Sequence, residues 1–371
     1  MAVPESSSRF AWPLRRRMPG PDGSAEDIAV QDVAEREAAD RRLPPPDPEP
    51  LVDPPPRFNL AMFRLAALGL ALVLALALAV VRVFVGGPPS VAELRAESGV
   101  DSWTVLPIGV KDDQPGVAFR DKNGVWSGFD IDVAYMVAED LGFRRDDVRF
   151  YGMESEDRLR MQAVDLAGKR VPVKMVIASF SITPEREAEP GVTFSQPYLF
   201  TEQSVLTLTK SKHRAVSTLR DLKGDRVCSL STATSVKAFQ GYDIDVISRN
   251  RMRECITDLR NGDVDAVSTD AAILAGFKDR FPSEFQHWDL GLEKTEAYGV
   301  NVGDSVALKK LVDLTLYRSY TDPADDRWED AYKRNLQSET DANGTTPIAV
   351  AQQPRITRPD IRELPWEDVF G

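Results

Sequence analysis

Histidine and cysteine are nearly missing from this chain of 371 residues: His213 and His287, Cys228 and Cys255 are all it has. They leave no zinc-site spacing and no Cys/His nucleophile pair that the sequence supports. Positive charge is in deficit as well. The formal balance of -12 argues against nucleic acid as a partner. The length leaves room for a sizeable core and about two domains.

Residues 1–59 lack the apolar and aromatic side chains that folding needs. They are rich in proline and acid, with Pro44-Pro45-Pro46 and Pro54-Pro55-Pro56, and are expected to be a disordered tail. One long apolar run comes next, Leu65 to Val81, bounded by Arg64 and Arg82. With flanking Met62-Phe63 and Val83-Phe84-Val85 it reaches the roughly 20 residues that a bilayer requires. Arg41, Arg42, Arg57 and Arg64 before the run outnumber Arg82 and Arg95 after it, which places the N-terminus in the cytoplasm. The competing reading is a cleaved signal peptide with Ala77-Leu78-Ala79 as the cleavage site. Gly86 to Ser90 reads as a spacer.

Beyond it, strands and helices alternate. Trp103 to Val110 reads as a strand and Lys111 to Gly116 as a polar loop. Asn123-Gly124 is a hairpin signal. Gly128-Phe129-Asp130-Ile131-Asp132 opens a helix to about Leu141, its two aspartates being either a metal pair or acids suited to a helix N-terminus. Val148 to Tyr151 predicts a strand, and Glu156 to Val164 a helix carrying Arg158 and Arg160 on an ion-paired face. Further strands are expected at Met175 to Ser179, Ser204 to Thr209, Arg226 to Leu230 and Val264 to Val267, with helices over Arg253–Arg260, Ala271–Phe277, Val306–Tyr317 and around Trp328. This alternation indicates an α/β fold with parallel-rich sheets, in which ligands sit beyond the carboxyl ends of strands.

The most informative stretch runs from Met175 to Tyr198. An apolar strand leads to Ser179-Phe180-Ser181; Thr183 then caps a helix starting at Pro184. Arg186 lies in that helix's first turn, where the macrodipole disfavours a cation. It either pairs with Glu185, Glu187 or Glu189 on a solvated face, or clamps an anion together with the free N–H groups. Ser231-Thr232-Ala233-Thr234-Ser235 is a second hydroxyl-rich helix N-terminus. Asp270 is either the N-cap of the helix after it or a group facing the clamp across a cleft.

The blocks K-D-D-Q-P-G, G-F-D-I-D-V-A, S-F-S-I-T-P-E-R, V-C-S-L-S-T-A-T-S, C-I-T-D-L-R-N-G-D-V-D-A-V-S-T-D and A-I-L-A-G-F occur here in an order that resembles the bacterial extracytoplasmic solute-binding proteins for polar amino acids, glutamate/glutamine branch. The resemblance implies a two-lobed periplasmic-binding-protein-like fold of type II, with two hinge-crossing strands. Lobe 1 would be 101–206 with 298–337 and lobe 2 207–297, after a membrane helix over 60–85 and a linker over 86–100; 338–371 would be an irregular tail. It implies that Arg186 and Ser181 hold a ligand α-carboxylate, Ser179 and Asp270 the α-ammonium, and Thr234 a contact from lobe 2. Lys111 or Arg158 would read the side chain. Asp130 and Asp132 match structural positions. The resemblance also implies that Cys228 and Cys255 pair, the alternative being two buried thiols. Two departures stand out: Gly168 to Lys174 is longer than the family's usual turn, and glycine is missing near Ala233-Thr234.

The expected protein is a single-pass, membrane-anchored, monomeric receptor, without cofactor or metal, that binds glutamate, glutamine or aspartate and serves an ABC-type importer. The alternative is a sensor that reports closure through its membrane helix to a cytoplasmic regulator. An enzyme on this scaffold is disfavoured: Glu202, Glu284 and Glu293 have no motif around them.

Overall fold

The computed structural model describes residues 60–84, 87–211, 215–290, 295–342 and 352–362. The expected disordered tail over 1–59 lies outside the described residues. The helix Leu60–Phe84 is 25 residues long, and its Leu60–Ala79 stretch has a mean hydropathy of 2.3 with its leucines exposed. By length and composition it is able to cross a membrane.

The chain then builds a first sheet from β1 (Leu106–Val110), β5 (Val148–Gly152), β6 (Gln162–Val164), β7 (Arg170–Pro172) and β8 (Met175–Val176), while β2 (Asp113–Gln114), β3 (Ala118–Arg120) and β4 (Trp126–Ser127) form a small hairpin sheet around Asn123-Gly124. The order is β7-β6-β5-β1-β8, with β1 parallel to both neighbours. Leu106, Ile108 and Val110 are fully buried, as expected of a parallel strand covered on both faces. Helix Phe129–Asp140 packs Ile131, Val133, Ala134 and Val137 into this core. It can start where it does because Gly128 has φ 127° and a Cβ there would lie 2.3 Å from the Val117 carbonyl oxygen.

The second sheet uses β9 (Leu199–Leu208), β10 (Arg226–Leu230), β11 (Asp245–Arg249), β12 (Ala266–Asp270) and β13 (Phe285–Asp289), in the order β11-β10-β12-β9-β13. β9 crosses between the lobes. Its first half is antiparallel to β14 (Thr295–Tyr298), and its second half pairs with β12 and β13. These are the two hinge strands, and the fold is the two-lobed type II architecture. Cys228 on β10 and Cys255 on helix Met252–Asn261 form a disulfide, which in the chain-entropy account contributes roughly 3 to 4 kcal/mol.

One expected element is replaced. Glu156 to Val164 is not a helix: a short 3-10 turn, Ser155–Arg158, gives way to strand β6. The longer Gly168 to Lys174 segment is the reason, since it supplies β7, whose backbone pairs with 162–164 and outcompetes local helix propensity. Within the stretch expected to be irregular, Gln337–Ala342 is helical, and 352–362 runs back over the first lobe. There Ile356 and Ile361 are buried, and the Arg362 N–H donates to the Pro89 carbonyl at 2.9 Å.

The lobes touch closely at Gly276, where an added Cβ would fall 1.7 Å from the Pro115 carbonyl oxygen. Gly276→Ala is expected to cost roughly 1–3 kcal/mol by overpacking, read as a lowered urea midpoint; an unchanged midpoint would refute the close approach.

Candidate functional site

Thr183 caps helix Pro184–Glu187 as its sequence predicts, its hydroxyl oxygen accepting from the Arg186 N–H at 3.3 Å. The Arg186 side chain does not pair with Glu185, Glu187 or Glu189. Glu185 is taken by Lys237 of the second lobe at 3.0 Å, and the Arg186 guanidinium turns inward over the Phe180 ring, 4.8 Å from its centroid. Nη1 donates to the Ser181 carbonyl at 2.7 Å, and Nη2 reaches the Thr232 carbonyl of the second lobe at 2.6 Å. Burial makes this guanidinium easier to deprotonate than usual, while Asp270 and Glu296 oppose that effect.

Arg158 sits on the same ring, 4.6 Å from its centroid, and is almost wholly buried. Its Nε and Nη1 donate to the main-chain carbonyls of Ser155, Ala178 and Ser179, and its Nη2 to the Thr232 hydroxyl at 3.1 Å. Desolvation and then repulsion from Arg186 bring its pKa down to about 9.

Asp270 occupies the N-cap position of helix Ala271–Arg280 but makes no side-chain capping bond. Its Oδ2 accepts from the Tyr298 hydroxyl at 2.5 Å, and burial followed by the neighbouring Glu296 pushes its pKa up. Arg158, Ser179, Ser181, Arg186, Thr234 and Asp270 line one cavity. Six of the seven residues predicted for the ligand are therefore brought together. Lys111 stands apart: it is fully buried, donates to the Met153 carbonyl and the Ser155 hydroxyl at 3.2 Å each, and has its pKa lowered to about 8 by desolvation.

Asp130 explains how the site keeps its shape. Its carboxylate accepts from the Ser179 N–H at 2.7 Å and the Tyr198 hydroxyl at 2.8 Å, which holds Ser179 at φ 43°, a left-handed conformation unusual for serine. The Ser179 hydroxyl in turn donates to Gln114 Oε1 at 2.9 Å. Asp132 pairs instead with Arg334 at 3.3 Å. Sequence reasoning missed Thr232, Phe180, Tyr298 and Gln114. Thr232 lies within the hydroxyl-rich run, but nothing in that run distinguishes it from Thr234; Phe180 and Gln114 lie within quoted blocks that do not mark their roles, and Tyr298 carries no local signal.

The cavity is contracted to about 10 Å³, room for about one water molecule. At this volume the cavity has no room for an amino acid. Elsewhere the two lobes are joined by ion pairs: Arg251 pairs with Asp112 at 2.9 Å and Glu154 at 3.3 Å, and Arg253 with Asp112 at 2.8 Å. A larger groove of about 740 Å³ beside Trp103, Met161 and Asp304 contains none of the site residues.

Residues 106–227 match the model of the family described as bacterial extracellular solute-binding proteins, family 3. Over 233 residues the chain is 30% identical to glutamate-binding protein GluB of Corynebacterium efficiens, spanning 58% of this chain and 74% of that one. It is 29% identical over 267 residues to the ABC transporter glutamine-binding protein GlnH of Bacillus subtilis, spanning 68% and 91%. Among solved structures, holo ArgBP from T. maritima aligns with a TM-score of 0.53 at 26% identity, over 63% of this chain and 98% of that one. Two lobes on a pair of hinge strands, with oppositely charged groups lining the cavity between them, define a binding protein that closes over a small solute. The chain belongs to family 3 of the bacterial extracellular solute-binding proteins.

Burial raises the Asp130 pKa to about 7 in the folded state. Between roughly pH 4 and 7 the native protein therefore keeps a proton that the unfolded chain has released, and stability falls as pH rises through this window by up to about 1.4 kcal/mol per unit. Urea titrations of wild type and Asp130→Asn at pH 4.5 and 6.5 should show that extra fall in the wild type alone; parallel profiles would sink the assignment.

Proposed function

We propose that the chain is a membrane-anchored extracytoplasmic receptor that binds a polar amino acid (glutamate, glutamine or aspartate) and delivers it to an ABC-type importer. The observation that carries this reading is the orientation of Arg186, a guanidinium aimed into an interlobe cavity whose lining also contains Asp270. An α-carboxylate on Arg186 and Ser181 and an α-ammonium against Asp270 and Ser179 would meet both charges, with Thr234 adding a contact from the second lobe. Each of these contacts strengthens when the lobes close, so the ligand shifts an open-closed equilibrium by its extra affinity for the closed form. The relatives named as glutamate- and glutamine-binding proteins support the ligand class, and the name of the glutamine-binding relative supports the transporter partnership.

In this reading 101–206 with 298–337 form one lobe and 207–297 the other, while the apolar helix within 60–85 tethers them through the linker at 86–100. The tether keeps the receptor near its membrane partner at high effective concentration.

A thermal-shift panel of the amino acids tests the receptor. At 100-fold its dissociation constant a ligand adds about 2.7 kcal/mol of stability. Arg186→Ala is expected to abolish the shift while leaving the unliganded melting profile in place; a variant that shifts like wild type removes the clamp from the account.

A further inference from the structure

The segment that follows the apolar helix is packed against the first lobe. Ser90 and Glu93 form a capping box on helix Val91–Ser98, which buries Leu94 and packs on helix Val306–Thr321. Val100 is buried just beyond it, and Arg95 donates to the Leu141 carbonyl at 3.3 Å. The attached chain therefore begins at Pro89, and residues 85–88 alone separate it from Phe84 at the end of the apolar helix. Five Cα steps reach about 18 Å at most.

What holds this beginning in place comes from the far end of the chain. Segment 352–362 lies along helix Val306–Thr321: the Gln353 amide donates to the Leu316 carbonyl at 3.4 Å, and the Lys310 ammonium to the Asp360 carbonyl at 3.3 Å. Gln196 grips Thr357 as a neighbouring strand would, its Nε2 donating to the carbonyl at 2.8 Å and its Oε1 accepting from the N–H at 2.8 Å and the hydroxyl at 2.7 Å. Ile356 and Ile361 are buried beneath. Arg362 then forms a parallel bridge with Ser90, its N–H donates to the Pro89 carbonyl at 2.9 Å, and its guanidinium meets Glu93 of the capping box at 3.3 Å. None of these residues lines the interlobe cavity. The exposed side of the segment carries Arg355 and Arg358 against Asp360.

We propose that segment 352–362 is a clasp that fixes the chain after the membrane helix to the first lobe, so that the receptor meets the bilayer surface with the clasp-bearing side of that lobe. This rests on the membrane-anchor part of the reading above and not on the ligand. A lobe of this length is about 35 Å across, roughly twice the reach of the free leash, so its opposite side cannot turn to the lipid. Were 89–102 to come loose, the leash would reach about 60 Å, and either lobe would be free to face the membrane. The positive balance at Arg355 and Arg358 suits anionic headgroups. Closure then moves the second lobe against a first lobe fixed at the membrane.

Energy transfer to a headgroup-labelled lipid tests this on the full chain in nanodiscs of phosphatidylglycerol and phosphatidylcholine. The two native cysteines are paired, so a donor dye goes to Val306→Cys, at the exposed start of the helix under the clasp, or to Lys223→Cys, exposed on the second lobe. Transfer from position 306 should exceed that from position 223 at least about twofold, because the second lobe stands about a lobe's width further from the lipid. Equal transfer, or more from the second lobe, overturns the inference and leaves the anchor standing. A chain shortened to end at Ala351 should lose most of the difference, and its amides at 91–98 should exchange at least about tenfold faster; unchanged values for both overturn the clasp. Should the shortened chain fail to fold, Gln196→Ala, which removes the contacts to Thr357, is read in the same way. A full chain that washes off the lipid overturns the anchor and the inference together.

Discussion

A guanidinium taken out of water must find an anion or a full set of acceptors, and in this chain two of them face that demand within one cavity. The acceptors are main-chain carbonyls at 155, 178, 179, 181 and 232 and the Thr232 hydroxyl. Such carbonyls are free only where the backbone leaves regular structure. Strand β8 ends at Val176, and the chain then passes through the left-handed Ser179, which turns its carbonyl towards Arg158. That turn is held from below by Asp130, at the start of the helix that Gly128 permits. The binding geometry therefore depends on a buried carboxylate that need not touch ligand.

The resemblance to glutamate- and glutamine-binding proteins and the local chemistry overlap in their residues, but the structure adds contacts that the blocks do not show. The family blocks carry Arg186, Ser181 and Asp270. Phe180 lies within one of these blocks, yet the blocks do not reveal that its ring supports two cations at once. Cation–π contact with a desolvated guanidinium compensates part of its lost hydration without neutralising it. The charge stays available to a ligand.

Much of this is legible in the residues and some is not. The capped turn at Thr183-Pro184, the strand that leads into it, and the parallel alternation around it are local patterns, and the structure keeps them. The helix expected over Glu156 to Val164 fails because its competitor, strand β7, lies several residues further on and acts only through pairing. Local pattern puts Arg158 on a helix face; it instead tops a short turn and is buried against carbonyls far away in sequence. Lys111 suits a ligand side chain by its place after the first strand, yet the Met153 carbonyl and the Ser155 hydroxyl claim its ammonium. Thr232 cannot be preferred to Thr234 from sequence, since which hydroxyl of a polar run meets the other lobe depends on how the lobes close.

Closure itself has two energetic parts that respond to different conditions. Between the lobes, Arg251, Arg253, Asp112, Glu154, Lys237 and Glu185 form ion pairs that are partly solvated, so each contributes modestly and salt weakens it. Inside, Thr232 ties both guanidiniums to the second lobe without neutralising either. A ligand gains only the difference between its own contacts and the ones it replaces. Because Thr232 supplies neutral acceptors, that difference is largest for a ligand whose acceptors are charged. In the receptor reading proposed above, these interlobe pairs would act on affinity through the population of the closed form.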